Sequence, residues 1–264
     1  MKKLSYIILS ALALSIVACS TQPAPSAQGG EGKWDNYFVG KINFEDKSPE
    51  SEGSRIYHSL IPNPEEYIAQ QARTVLNTLY FSPEDSIVPV NNLYYTIEEM
   101  DGISGKGGGD GEVSIYYSTK YVAKSFTDND TAKVFFETRG VLLHELTHAY
   151  QLEPQGIGTY GTNRVFWAMI EGVADAVRIA NGGFNGEQDR PKGGNYMDGY
   201  RTTGYFFVWL CDNKDSDFLR KINRSTLEVI PWSFDGAIKH IFGEEANIDD
   251  LWKEYQIAVG DIEG

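Results

Sequence analysis

The sequence predicts an α+β fold, with strands gathered in the first half of the chain and helices filling the second. Three observations predict it. Short runs rich in aromatic and β-branched residues occur between Trp34 and Tyr117, broken by Gly, Pro and Asp. From Thr131 onward, apolar residues return every three or four positions, the period of a helix with one buried face. The third is Gly140 to Gln151, GVLLHELTHAYQ, a helix-periodic stretch that carries two of the chain's four histidines.

At the start, Lys2 and Lys3 precede an apolar run from Leu4 to Ala18 that ends in IVAC at Cys19. A positive end, a short apolar core and a small residue before the cut describe a secretory signal, residues 1–18, too short to span a membrane as a stable helix. Ile16 to Cys19 resembles the lipobox of bacterial lipoproteins, so Cys19 is the expected lipidation site. The expected location is then outside the cytoplasm, anchored by lipid to the bacterial outer membrane at its periplasmic face or at the cell surface. Residues 19–33, including STQPAPSAQGGEGK, are nearly free of apolar side chains and read as a flexible tether. Residues 34–264 are long enough for one folded unit with an ample core.

Cleavage would leave 246 of the 264 residues and take the formal charge from −14 to −16, since Lys2 and Lys3 are lost. That charge repels nucleic acid and anionic lipid and argues against both as partners. Beyond Cys19 the only cysteine is Cys211, so no disulfide framework is possible; among Phe206, Phe207, Val208 and Leu210 it reads as a buried, inert thiol.

In the domain itself, the run from Trp34 through Tyr37, Val39, Ile42 and Phe44 suggests a first strand, and Ile56 to Leu60 a second. Asn63, Pro64 and Glu66 form an N-cap, first-turn proline and capping-box pattern before a helix to about Tyr80. Leu93 to Glu98 and Glu112 to Tyr117 read as strands, joined by DGISGKGGGDG. Lys106 is followed by glycine where a phosphate loop needs a hydroxyl, so that stretch reads as a mobile connection, with a lid over the cleft as the sharper alternative.

Asp130 is placed to cap a helix from Thr131, and Pro154 lies just beyond its end. Within it, four residues advance about 400°, so His144 and His148 stand one turn, about 6 Å, apart on one face. Two imidazoles so placed can share one ion. Zinc suits them, because a catalytic zinc takes three protein ligands and leaves a position for water, and Glu145 beside the first ligand can act on that water as general base.

Arg164 to Ala180, RVFWAMIEGVADAVRIA, is apolar nearly all round and so predicts a buried helix, yet Glu171 and Asp175 share one of its faces. Buried carboxylates need partners. One reading makes Glu171 the third metal ligand and Asp175 the acceptor of a spare ring N–H from a liganding histidine. The alternative is a buried ion pair with Arg139, Arg164 or Arg178. Glu153 and His240 remain open as other third ligands. From Asp198 the chain reads as helices near Gly199–Cys211, Asp217–Asn223, Phe234–Phe242 and Ile248–Val259, with Ser233 and Asn247 as caps.

From roughly Tyr94 to Val259 the sequence resembles the basic secretory protein family of plant and bacterial peptidases, within the zincin metallopeptidases. The resemblance rests on GVLLHELTHAYQ, MIEGVADAVRIANGG, GYRTTGYFFVWL and DDLWKEYQ. It implies that His144 and His148 are metal ligands and Glu145 the catalytic glutamate, and Glu171 with Asp175 is similar to the E-x-x-x-D pattern of gluzincins. The fold it implies is zincin-like: a small twisted mixed sheet packed on the metal helix through residue 153, then a mainly helical part from 154 to 264. By analogy with other zincins, the strand Glu112 to Tyr117 would be the cleft edge that pairs with substrate backbone.

The function expected on these grounds is hydrolysis of peptide bonds by a monomeric zinc endopeptidase with one ion, acting on a protein or peptide substrate. Tyr200 is the candidate donor to the oxyanion. The rival from another class is a non-catalytic surface lipoprotein that binds protein or glycan, its metal structural or absent; four protein ligands on the ion would favour it.

Overall fold

The computed structural model describes residues 32–264. The expected signal, Cys19 and all but the last two residues of the expected tether lie outside them. No helix among the described residues is long and apolar enough to cross a membrane.

Strand β1 (Lys41–Asp46) is followed by helices α1 (Glu52–Leu60) and α2 (Pro64–Leu79), then by β2 (Asn92–Glu98), β3 (Ser104–Gly109) and β4 (Glu112–Ser118). The strands lie in the order β1-β2-β4-β3, with β1, β2 and β4 parallel and β3 antiparallel to β4. This is the small mixed sheet that was expected, though two elements differ. Residues 56–60 belong to α1 and not to a strand: Ser51 caps the helix by accepting from Ser54 N–H, and Tyr57 turns into the core. Ile56, Tyr57 and Leu60 stand at the spacing of one helical face, which a run of five residues does not distinguish from a strand. The connection expected to be mobile contains β3. Four glycines hide its strand character, and pairing with β4 supplies the order that propensity does not. Asp110 and Gly111 join β3 to β4 with φ of 53° and 83°, the primed two-residue turn that an Asp-Gly pair favours. Asn63 and Pro64 start α2 as expected, but Asn63 makes no side-chain capping bond.

Placing β3 outermost also moves the cleft edge. β4 is interior, paired on both sides, so the expectation that Glu112 to Tyr117 forms the free edge is corrected: that edge is β3.

After α3 (Thr119–Ser125) come α4 (Thr131–Tyr150) and α5 (Arg164–Ala180). Asp130 accepts from Lys133 N–H and Asn163 from Val165 and Phe166 N–H, so each helix starts at a side-chain cap. Helices α6 (Tyr200–Asn213), α7 (Phe218–Glu228), α8 (Phe234–Phe242) and α9 (Ile248–Ala258) complete the chain, and Ser233 and Asn247 cap α8 and α9. The sheet packs on α4, where the Tyr117 hydroxyl lies 3.0 Å from Thr138 Oγ1.

Helix α5 lies between α4 and α6 and is buried on both sides, Val173, Ala174 and Val177 being fully inaccessible. Each of the two valines contributes about 1.5–3 kcal/mol by leaving water. Gly172 brings α6 close: a Cβ there would stand 2.4 Å from Thr203 Cγ2. The sandwich holds the two acidic residues of α5 against the histidine face of α4. Cys211 is partly buried, and burial pushes its thiol up to about 11.

Candidate active site

Helix α4 turns His144 and His148 toward α5, and their Nε2 atoms lie 3.0 Å apart. Glu171 Oε2 stands 3.3 Å from the first and 3.6 Å from the second. No hydrogen-bond donor reaches that buried oxygen. These three ligand atoms all lie close enough to one another to share one cation. For ligands at about 2.0–2.1 Å around a tetrahedral ion, neighbouring donors are separated by about 3.3–3.4 Å, so the three observed spacings fit zinc.

The outer ring nitrogens have partners too. Asp175 Oδ1 is 2.7 Å from His144 Nδ1, which fixes the proton there and leaves Nε2 free. Gln151, at the end of α4, places its amide 2.7 Å from His148 Nδ1. The atom placed there is Nε2, while Oε1 is buried without a partner; with the amide turned over, Oε1 accepts the ring N–H and both atoms of the contact are satisfied. Both histidines are then oriented to present Nε2.

Electrostatics point the same way. Burial opposes a charge on His144, yet hydrogen bonds to Asp175 and Glu171 outweigh it and raise the ring to about 10. Burial would likewise raise Glu171, but the His144 and His148 rings hold its carboxyl well below the usual range. The same carboxylates that raise the ring favour positive charge at this point of the cleft.

Glu145 is buried beside the ligand set, and Ser104 at the start of β3 donates to its Oε1 at 2.6 Å. Tyr160, in the loop between α4 and α5, donates to Glu171 Oε1 at 2.5 Å. Tyr200 begins α6 with φ of 43°, after Gly199 at 73°; its ring lies parallel to that of His144 at 6.1 Å and is half exposed to the cleft. Gly199 has no room for a Cβ, which would meet the Trp167 ring at 2.5 Å. The cleft has two halves, of about 670 and 400 Å³, and Ser104, His144, Glu145 and Tyr200 line both.

Of the residues read from sequence, His144, Glu145, His148, Glu171, Asp175 and Tyr200 come together here. The alternatives do not. Arg139 bonds Gln71 and the Asn181 carbonyl, Arg164 lies over Trp167, and Arg178 pairs with Glu137, so none neutralises Glu171 or Asp175. His240 pairs with Glu228 at 2.9 Å on α7, and Glu153 is exposed outside the donor set. Ser104 and Tyr160 went unread because each sits in a glycine-rich stretch without periodicity. The Asp110-Gly111 turn was the signal that would have placed Ser104 on a strand.

Residues 39–255 match the family model BSP, described as peptidase of plants and bacteria. No curated protein and no solved structure matches the chain.

Proposed function

The chain belongs to the BSP family, the peptidases of plants and bacteria, and from that premise we propose that it is a zinc-dependent metallopeptidase, cutting within peptide chains. The observation that carries the reading is the unpartnered Glu171 Oε2 at 3.3 and 3.6 Å from two ring nitrogens. His144, His148 and Glu171 would hold one zinc ion. When bound, zinc supplies a Lewis acid for the scissile carbonyl and an acidified water.

The chain's own residues supply the rest. The free edge of β3 pairs with extended substrate backbone and sets it along the cleft. Glu145 takes the proton of the attacking water and returns it to the leaving amine, so that the amine departs neutral. Ser104 holds that carboxylate in place by its 2.6 Å hydrogen bond. Tyr200 offers its hydroxyl to the developing oxyanion, being the tyrosine of the cleft whose ring covers His144. Tyr160 is committed to Glu171 and positions the ligand. Secretion and anchoring through Cys19 belong to the same reading, supported by the Lys2–Cys19 pattern; loss of fatty-acid labelling in Cys19→Ser tests them.

The test of the activity is digestion of a diverse peptide library by the full chain, read by mass spectrometry. Cuts that vanish with a chelator, return with zinc and are absent in Glu145→Gln support the proposal. Cuts that survive both treatments overturn it.

A further inference from the structure

The larger half of the cleft, about 670 Å³, reaches His144, Glu145 and Tyr200 but not His148, and nothing in the chemistry above uses its far wall. Two guanidinium groups form that wall, Arg178 at 3.7 Å and Arg201 at 5.4 Å from the centroid of the Phe184 ring. The lining also holds four carboxylates, Glu137, Glu145, Asp175 and Asp189, so what each guanidinium pairs with decides what it can do.

The two are not equivalent. Arg178 is 6 % exposed, paired with Glu137 at 3.1 Å, and pressed so close to α4 that a Cβ on Gly140 would meet its Nε at 2.4 Å. It is part of the wall. Arg201 donates at 3.1 Å to the backbone carbonyl of Asp189, and among the described residues it forms no ion pair. The carboxylates that line the cavity already have partners: Glu137 has Arg178 and Tyr121, Asp189 has Gly186 N–H, Asp175 has His144 and Glu145 has Ser104. Arg201 is the guanidinium of this cavity that no carboxylate of the chain holds.

Phe184 carries both guanidiniums and holds φ of 48°, a conformation that bulky residues avoid. Tyr205 donates to its carbonyl and fixes it. Strain of this kind persists only where the surroundings hold it in place.

We propose that this cavity recognises a carboxylate of the substrate through Arg201, so that the enzyme prefers a peptide with an acidic group next to the scissile bond on this side. The proposal rests on the peptidase reading for its substrate class. A planar guanidinium can hold a carboxylate through two parallel N–H donors, which a neutral amide of the same shape cannot match. The carboxylate has two sources, an Asp or Glu side chain or the free C-terminus of the peptide.

The test measures binding and cleavage separately. Zinc-loaded full chain carrying Glu145→Gln is titrated with uncut peptides in pairs: Glu against Gln at the position flanking the scissile bond, and free against amidated C-terminus there. Tighter binding of the acidic partner by about 10- to 100-fold, in one pair or the other, is expected and identifies the source of the carboxylate. In Arg201→Gln on the same background the ratio should fall to near one, and Arg201→Lys should keep part of it, which separates loss of charge from loss of fold. Equal affinities in both pairs overturn the proposal, as does a preference that survives Arg201→Gln. Library cleavage by the unmutated chain separates the two readings. Cuts without an acidic preference remove the pocket and leave the peptidase; an acidic preference in binding without any cuts removes the peptidase and leaves the pocket.

Discussion

Asp175 Oδ1 on α5 stands 2.7 Å from Nδ1 of His144 on α4, so one hydrogen bond between two helices decides which ring nitrogen faces the metal site. Removing the charge of its acceptor should weaken the site without emptying it. Asp175→Asn is expected to lower zinc affinity by about 10- to 100-fold. Competition against a chromophoric chelator measures this, and an unchanged affinity would leave Asp175 no role in orienting His144.

Ser104 bonds Glu145 at 2.6 Å from the edge strand, linking the proposed base to the surface on which substrate would lie. A hydrogen bond to a charged group contributes about 1.5–3 kcal/mol. Ser104→Ala is therefore expected to lower kcat by about 10- to 100-fold while zinc content stays full. Steady-state kinetics with metal analysis on the same sample checks both parts.

Zinc should also stabilise the fold, because Glu171 and the two histidines meet only when α4 and α5 are packed. At a zinc concentration about 1,000 times its Kd the gain is about 4 kcal/mol. For a chain of this size that is a rise in Tm of about 10 °C, reversed by chelator. Calorimetric scans of both forms supply the comparison.

At the opposite end of the chain, Arg190 holds Asp261 through two N–H donors at 2.8 and 2.9 Å, and Gly193 N–H adds a third at 2.8 Å. The Arg190 hydrogen bonds lead the causes that lower the Asp261 carboxyl below its ordinary value. The folded pKa lies below the unfolded one, near 3.9, so the stabilisation is complete above that pH and is lost as pH falls through the lowered value. Asp261→Asn is expected to cost about 1–3 kcal/mol at neutral pH and little at pH 2. Urea melts at the two pH values check the difference.

The parts of the fold that were legible beforehand are those written in local chemistry. Asp130 marks the start of α4, and Ser233 and Asn247 those of α8 and α9, and each makes the side-chain bond its type predicts. His144, His148 and Glu171 were legible as candidates because helical spacing pairs the histidines and a buried carboxylate needs a partner, while an arginine partner for Glu171 and Glu153 or His240 as third ligand stayed open until the fold placed them elsewhere. β3 was not, since glycine at four of its six positions leaves no periodicity to read. Arg201 was not either: only the fold turns this residue of α6 toward Phe184, from another part of the chain.

The glycines of β3 have an effect on how the molecule behaves among its own copies. An unpaired strand edge is a template on which identical chains can stack into growing sheets, and proteins blunt such edges with charge, shortness or weak strand character. β3 has six residues, four of them glycine, and Lys106 at its middle. Glycine loses more freedom than any other residue when it is held extended, so this edge gains little from open-ended pairing. Such an edge is a poor seed for aggregation.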